Sequence, residues 1–210
     1  MNNINRTMSK LIVIGILQLL LSTQVSAYDK TKLQYDWQHT PYELYLSAVE
    51  AYNLKFYNPY MVLLLDVRNQ AELHYTGATD LMDANIPYKF DSLEWIPANN
   101  AKTGMFSMKE NKNFVAAVEN VLKAKKMTKE NPIIIMCATG ARAPFAARQL
   151  HQAGFKKVYV QVEGFEGVRA TKGKDKGKRN VSGWKHSKLP WSYDLITKKM
   201  YFNFDPENKD

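Results

Sequence analysis

The sequence contains a single cysteine, Cys137, and the residues around it favour chemistry at the sulfur atom. Cys137 follows the apolar run of residues 133–136 and precedes Gly140 and Arg142 in a short segment. Glycine lets such a segment turn tightly, and a guanidinium adds a fixed positive charge with several N–H donors. A helix that starts behind the segment would add the partial positive charge of its N-terminus. Together these features should favour the thiolate, which is the nucleophilic form of cysteine.

The segment after Cys137 is also suited to binding an anion. The backbone N–H groups of residues 138–142 can converge on one point, where they would hold the anionic part of a sulfur donor or the terminal sulfur of a persulfide. A resting thiolate that attacks directly needs no general base, and the segment contains no histidine. A lone cysteine after an apolar strand is often only a small buried hydrophobe, but Gly140 and Arg142 favour the reactive interpretation.

Alternating apolar segments predict the elements that position this loop. Three short apolar runs are typical of buried parallel strands: residues 61–67, 133–136 and 157–161. Cys137 follows directly after the second of these runs. Three longer segments predict helices, the first of them capped by Thr40; they are residues 40–52, 113–126 and 143–153. Strands that alternate with helices predict an α/β fold, with helices on both faces of a parallel sheet.

The remaining polar segments predict surface structure. Residues 89–112 are irregular and polar, which predicts a long loop with at most a short helix. Residues 168–183 are dominated by lysine, arginine and glycine, which is typical of an exposed loop. Residues 183–191 begin with Gly183 and Trp184 and are expected to pack back onto the domain.

The first 27 residues have the pattern of a secretory signal peptide. Arg6 and Lys10 precede a largely apolar stretch, residues 11–21, and Val25 and Ala27 form a typical cleavage site. We expect cleavage after Ala27 and export to the periplasm without stable membrane insertion; an uncleaved anchor is the alternative, although the stretch is short for a bilayer span. The expected organisation is a signal peptide (1–27), a lead-in (28–39), a folded domain (40–195) and a C-terminal tail (196–210).

The chain is basic, with a formal net charge of +9 and a pI of about 9.4. The sequence has no recognised nucleic-acid-binding motif, so we expect no nucleic-acid partner. One run of basic residues comprises Lys172, Lys174, Lys176, Lys178 and Arg179. We interpret it as a solvated loop; the alternative is that it attracts anionic donors or an acidic partner. We predict no metal or other cofactor, because no metal-ligand spacing joins the four histidines, His39, His74, His151 and His186.

An ordered set of motifs resembles the rhodanese domain. They are residues 65–68 (Leu-Asp-Val-Arg), Glu72, residues 77–78 (Gly-Ala), 85–87 (Asn-Ile-Pro), the 137–142 loop, residues 153–159 and the 164–167 turn. Residues 183–185 (Gly-Trp-Lys) and 189–191 (Leu-Pro-Trp) are similar to the closing segment of an exported bacterial rhodanese-like subgroup. The resemblance spans about residues 40–195.

The resemblance implies a five-stranded parallel sheet flanked by helices and the activity of a sulfurtransferase. A sulfane sulfur would pass from a small anionic donor such as thiosulfate, through a cysteine persulfide, to a thiophilic acceptor such as a thiol or cyanide. By position, Cys137 matches the sulfur carrier, and Asp66 and Arg68 match a supporting pair at a strand end, where Arg68 is expected to bind Glu72. The residues that match the anion-binding loop are Ala138, Thr139, Gly140, Ala141 and Arg142.

Three positions differ from the residues common in active members of this family. Ala138 replaces a basic residue, Ala143 replaces a serine or threonine, and Glu163 replaces a glycine. Ala138 and Ala143 leave open a non-catalytic module that binds an anion or a protein. A phosphatase-like enzyme is a further alternative, but such loops generally place five residues between cysteine and arginine, whereas four separate Cys137 from Arg142.

Overall fold

The computed structural model describes residues 28–99 and 101–202. The predicted signal peptide and the end of the predicted tail, residues 203–210, therefore lie outside the described residues. Among the helices of the described ranges, none has both the length and the apolar character needed to cross a bilayer.

Within the described residues, seven strands and four α-helices follow one another. They are β1 (Tyr45–Leu46), α1 (Ala48–Tyr57), β2 (Leu63–Asp66), α2 (Gln70–Thr76), β3 (Ala84–Asn85), β4 (Lys89–Pro97), β5 (Gly104–Glu110), α3 (Phe114–Ala124), β6 (Ile133–Met136), α4 (Ala143–Gln152) and β7 (Val158–Gln161). Short 3₁₀ turns lie at Lys30–Lys32, Asp36–Gln38 and Thr197–Lys199.

Five of the strands form a parallel sheet in the order β1-β7-β6-β2-β3. In this register, Asp66 at the end of β2 lies beside Met136 at the end of β6. The residues that follow the two central strands, including Cys137, therefore meet at one edge of the sheet. Ligands of open parallel sheets bind at this carboxyl edge.

Helices cover both faces of the sheet, as predicted. Because successive strand residues point to opposite faces, Leu63 and Leu65 enter one core and Leu64 enters the other. The buried stripes of α3 and α4 pack against the first face, and α1 and α2 pack against the second. The predicted α/β fold with a five-stranded parallel sheet is confirmed.

The helix predicted from Thr40 begins later than expected. The backbone N–H of Glu43 donates to the carbonyl of Thr40 in a turn, and Tyr45 then enters β1. Helix α1 begins only after Ser47, whose hydroxyl accepts from the backbone of Glu50 in a capping box. Tertiary pairing explains the difference, because Tyr45 is buried in β1 and β1 pairs with β7.

The prediction of a long loop at residues 89–112 is wrong, because most of these residues form the antiparallel hairpin β4–β5. Trp95 lies opposite Phe106, and Ile96 lies opposite Met105 on the other face. All four side chains are exposed. The hairpin has apolar residues on both faces, so it lacks the alternation by which a half-buried strand is predicted.

Glu163, at a position where the resemblance described above implies a glycine, caps helix α1. Its carboxylate accepts a hydrogen bond from the backbone N–H of Ala48 at 2.7 Å. A carboxylate at a helix N-terminus satisfies a free donor and interacts favourably with the helix dipole.

We therefore expect Glu163→Ala to lower the free energy of unfolding by about 1 kcal/mol. Urea denaturation measures this loss, and the exposed residue Glu130 offers a control, because Glu130→Ala should leave stability within about 0.5 kcal/mol of the unmodified protein. Equal effects of the two substitutions would contradict the capping role.

Candidate active site

Cys137 lies at the carboxyl end of β6, and its side chain is fully buried. The backbone N–H of Arg142 points at the sulfur, with 3.4 Å between the nitrogen and Sγ. The structure thus brings together the two ends of the predicted loop and directs a backbone donor at the sulfur. Such a donor stabilises negative charge on a sulfur atom.

The start of the loop is held by the turn that follows β7. The N–H of Phe165 donates to the carbonyl of Cys137 at 2.7 Å, and those of Glu166 and Gly167 both donate to the carbonyl of Ala138. A Cβ atom added to Gly164 would lie 2.4 Å from the carbonyl of Ala138, so only glycine permits this approach. The turn and the loop therefore form one backbone unit.

Gly140 lets the middle of the loop pack against the same region. Its φ is +83°, and an added Cβ atom would lie 1.9 Å from the carbonyl oxygen of Val162. Helix α4 follows with Pro144 in its first turn, and within the described residues no side chain caps its N-terminus. The free N–H groups of α4 therefore begin directly behind the loop.

The predicted loop residues differ in their access to solvent. Ala138 and Gly140 are buried, Thr139 and Arg142 are half-buried, and Ala141 is exposed. A ligand that approaches the loop from solvent therefore meets its rim before it reaches Cys137.

Arg142 pairs with Glu72 through two hydrogen bonds. Nη1 donates to Oε2 at 2.7 Å, and Nη2 donates to Oε1. Burial acts to lower the pKa of Arg142, but the hydrogen bonds to Glu72 and the charge of that carboxylate outweigh it and raise that pKa. Burial acts to raise the pKa of Glu72, but Arg142 outweighs it and lowers that pKa below its ordinary value. The pair fixes a positive group at the rim of the loop.

The predicted pairing of Arg68 with Glu72 is wrong, because Arg68 binds Asp66. Both side chains are fully buried, and Nη2 lies 2.6 Å from Oδ2. Arg68 also donates to the hydroxyl of Thr76 and to the carbonyl of Gly77, and its guanidinium lies 3.9 Å from the ring centroid of Phe165. The buried pair therefore joins the end of β2 to the end of α2. Asp66 is only two residues from Arg68, and the carboxylate of Glu72 is occupied by Arg142 instead.

Sequence reasoning missed a group of aromatic side chains beside the loop. Trp37 stacks on Tyr35 with ring centroids 5.7 Å apart and on Phe145 of α4 with centroids 6.2 Å apart. Arg148 donates to the carbonyls of Trp37 and His39 and so ties the lead-in to α4. The only signal in the sequence was the aromatic character of the lead-in.

Glu72→Gln is expected to lower the free energy of unfolding by about 1–2 kcal/mol at pH 7, because Arg142 loses its charged partner. Since the pKa of Glu72 is lowered in the folded protein, its contribution is complete above the ordinary value of 4.5 and is lost as the pH falls through the lowered pKa. The difference between the two proteins should therefore shrink in acid, as measured by urea denaturation across the pH range.

Glu119→Gln is the matched control for this prediction. Glu119 binds Lys129 at 2.6 Å, but both side chains are more than a third exposed, so its loss should cost no more than about 0.5 kcal/mol. Equal losses in the two variants would show that the pair of Glu72 with Arg142 behaves as an ordinary surface ion pair.

Comparison with known proteins identifies the family. The rhodanese-like domain family matches residues 47–171, more than half of the chain. The chain belongs to the rhodanese-like family. An uncharacterized protein of Rickettsia prowazekii (strain Madrid E) is 28% identical over 148 residues, which cover 70% of this chain and 96% of that relative.

Two solved structures are similar to this rhodanese-like chain. The crystal structure of Rv0390 from M. tuberculosis has a TM-score of 0.52 at 24% identity and covers 71% of this chain and 97% of the other. A polysulfide-sulfur transferase from Wolinella succinogenes has a TM-score of 0.38 at 24% identity and covers 70% of this chain and 77% of the other. The similarity to Rv0390 agrees with the fold described above.

The rhodanese-like domain continues in space beyond the matched residues. Trp184 is fully buried in the core of the second sheet face, and its indole N–H donates to the carbonyl of Pro190. An antiparallel bridge joins Ser192 to Ala78 just beyond α2. The segment around Trp184 therefore packs back onto the domain, as the sequence predicted.

Proposed function

We propose that the protein is a sulfurtransferase that carries a sulfane sulfur as a persulfide on Cys137. The observation that carries this proposal is the direction of the Arg142 N–H toward Sγ, inside a loop closed by backbone hydrogen bonds. The N-terminus of α4, which no described side chain caps, and the guanidinium of Arg142 add positive potential to the same loop. A thiolate or a persulfide anion is stabilised by all three.

The proposed reaction has two transfers of the same sulfur atom. In the first, the Cys137 thiolate attacks the outer sulfur of thiosulfate, the S–S bond of the donor breaks, and sulfite leaves with the bonding electron pair. In the second, a thiophilic acceptor attacks the terminal sulfur of the persulfide and the Cys137 thiolate is restored. With cyanide as the acceptor, the product is thiocyanate. No external oxidant or reductant is required.

Mass spectrometry of the intact protein tests this proposal. After incubation with thiosulfate, the protein should gain the mass of one sulfur atom, and cyanide should remove it and release thiocyanate. Cys137→Ser should gain nothing, because the hydroxyl cannot form a persulfide. A mass gain that persists in Cys137→Ser would place the sulfur elsewhere and overturn the assignment.

A non-catalytic module is the second candidate, and the burial of Cys137 favours it. The side chain is fully buried, and the neighbouring positions are the alanines Ala138 and Ala143. Under this alternative, Cys137 would react slowly even with a neutral alkylating agent such as iodoacetamide. Absence of a sulfur adduct with thiosulfate and with inorganic polysulfide would favour the module.

A further inference from the structure

The segment after the 164–167 turn forms a small two-stranded loop, residues 169–179, called the basic loop below. Arg169 and Arg179 face each other in an antiparallel bridge. The N–H of Ala170 donates to the carbonyl of Lys178, and that of Gly177 donates to the carbonyl of Ala170, both at 2.8 Å. The segment is thus hydrogen-bonded across its width.

The basic loop carries far more positive charge than its own contacts neutralise. It contains one carboxylate, Asp175, and six exposed cationic residues: Arg169, Lys172, Lys174, Lys176, Lys178 and Arg179. Lys178 binds Asp175 at 2.8 Å, and Arg179 lies 3.9 Å from Glu166. Among the residues that the structure describes, no carboxylate forms a salt bridge with the other four cations.

This arrangement does not stabilise the isolated protein. Like charges placed directly across two strands, as Arg169 and Arg179 are, destabilise the pairing. The cations without a salt bridge are distributed over residues 169–176, so several of them can contact one extended partner. Both features fit an extended acidic surface that would offset the repulsion.

The root of the basic loop is fixed to the loop that holds Cys137. Gly167, two residues before Arg169, donates its N–H to the carbonyl of Ala138. The guanidinium of Arg179 returns to the same point and donates to the carbonyl of Gly167 at 2.8 Å. A partner bound to the basic loop is therefore held beside Cys137.

An apolar surface adjoins the other end of the Cys137 loop. The aromatic ledge consists of Tyr35, Trp37 and Phe145, with exposed fractions of 56%, 38% and 44%. Phe145 is three residues beyond Arg142, and Arg148 lies 4.5 Å from its ring centroid. Exposed aromatic rings with arginine are typical of the centres of protein interfaces. A small anionic donor such as thiosulfate does not need an apolar surface of this kind for binding.

We propose that the sulfur acceptor is a protein with an acidic face, which docks on the basic loop and the aromatic ledge; this inference rests on the proposed sulfurtransferase function. The thiolate of the acceptor attacks the terminal sulfur of the Cys137 persulfide. The bond from Sγ to that sulfur breaks, a persulfide forms on the acceptor, and Cys137 leaves as a thiolate. The reaction exchanges one S–S bond for another and needs no further reactant.

A cysteine peptide tests the basic loop. The peptide carries glutamates on one side of its cysteine and leucines on the other, and a matched peptide has glutamines in place of the glutamates. After thiosulfate has converted Cys137 to its persulfide, the protein should transfer sulfur to the acidic peptide about tenfold faster than to the matched peptide at low salt. The triple variant K172Q/K174Q/K176Q should lose this advantage, while its transfer to dithiothreitol stays unchanged.

Two control variants separate docking from general effects. K123Q/K126Q/K156Q removes the same charge from exposed lysines near the amino edge of the sheet and should retain the advantage of the acidic peptide. Trp37→Ala should weaken peptide binding about threefold or more, measured by fluorescence anisotropy. Trp95→Ala, which removes an exposed tryptophan in the β4–β5 hairpin, should leave binding unchanged.

Equal transfer to the two peptides would overturn the inference. Equal slowing of thiosulfate loading and of peptide transfer in K172Q/K174Q/K176Q would also overturn it, as would stronger binding of a single-stranded DNA oligomer than of the acidic peptide. Peptide binding does not require a persulfide, so it can be measured even if Cys137 forms none. If the peptide binds but no persulfide forms, the proposed function is refuted and the docking surface is supported. If the persulfide forms but the peptide does not bind, the docking surface is refuted.

Discussion

Gly140→Ala is expected to slow the proposed sulfur transfer by about 100-fold or more and to destabilise the fold. The φ of +83° costs a residue with a side chain about 1–2 kcal/mol. In addition, the new Cβ atom would lie 1.9 Å from the carbonyl oxygen of Val162, which is far inside van der Waals contact. The loop must move to relieve this overlap, at a further cost of about 1–3 kcal/mol.

The displacement should separate the Arg142 N–H from the sulfur that it contacts at 3.4 Å. Since a misplacement of about 1 Å can cost 100-fold in rate, persulfide formation should fall by about 100-fold or more. Intact mass after timed exposure to thiosulfate measures the rate, and urea denaturation measures stability.

Gly154→Ala is the control for the loss of a glycine at positive φ. Gly154 has a φ of +86°, but a Cβ atom there would have no described atom within 4 Å. Its replacement should cost only the backbone strain of about 1 kcal/mol and leave sulfur transfer intact. Normal transfer in Gly140→Ala would show that the close packing of this loop is not required for the chemistry.

Asp66→Asn is expected to lower the free energy of unfolding by about 3–5 kcal/mol, a large part of the stability of an ordinary domain. The substitution keeps the shape of the side chain but leaves the charge of Arg68 without its carboxylate. Both side chains are fully buried, so water cannot replace the lost partner. Thermal unfolding and urea denaturation at pH 7 measure the loss.

A double-mutant cycle distinguishes loss of the pair from loss of either side chain. Arg68→Met should also destabilise, because it leaves the buried carboxylate of Asp66 unpaired. The double variant should be more stable than the sum of the two losses predicts, by about 1–3 kcal/mol. Folding of the double variant under conditions where Asp66→Asn does not fold would establish the same coupling, whereas strictly additive losses would contradict it.

The strands and helices found correctly from the sequence share one property: their signals are local and strong. Strands β2, β6 and β7 are short apolar runs, and α3 and α4 have apolar residues at helical spacing. Strand β1 has two residues and forms only because β7 lies beside it. The β4–β5 hairpin has no buried face to impose a period of two, so its pattern was not recognised.

The sequence by itself determined that Cys137 follows a buried strand and that glycine and arginine shape the loop behind it, because these relations involve neighbouring residues. Only the tertiary structure decided the pairing of charges. Glu72 and Arg142 are 70 positions apart, and their contact depends on how α2 packs beside the Cys137 loop. Other tertiary contacts place the basic loop and the aromatic ledge beside the Cys137 loop: Gly167 bonds to Ala138, and Trp37 of the lead-in stacks on Phe145 of α4. Such distant segments of a chain become neighbours only when the sheet and its helices assemble.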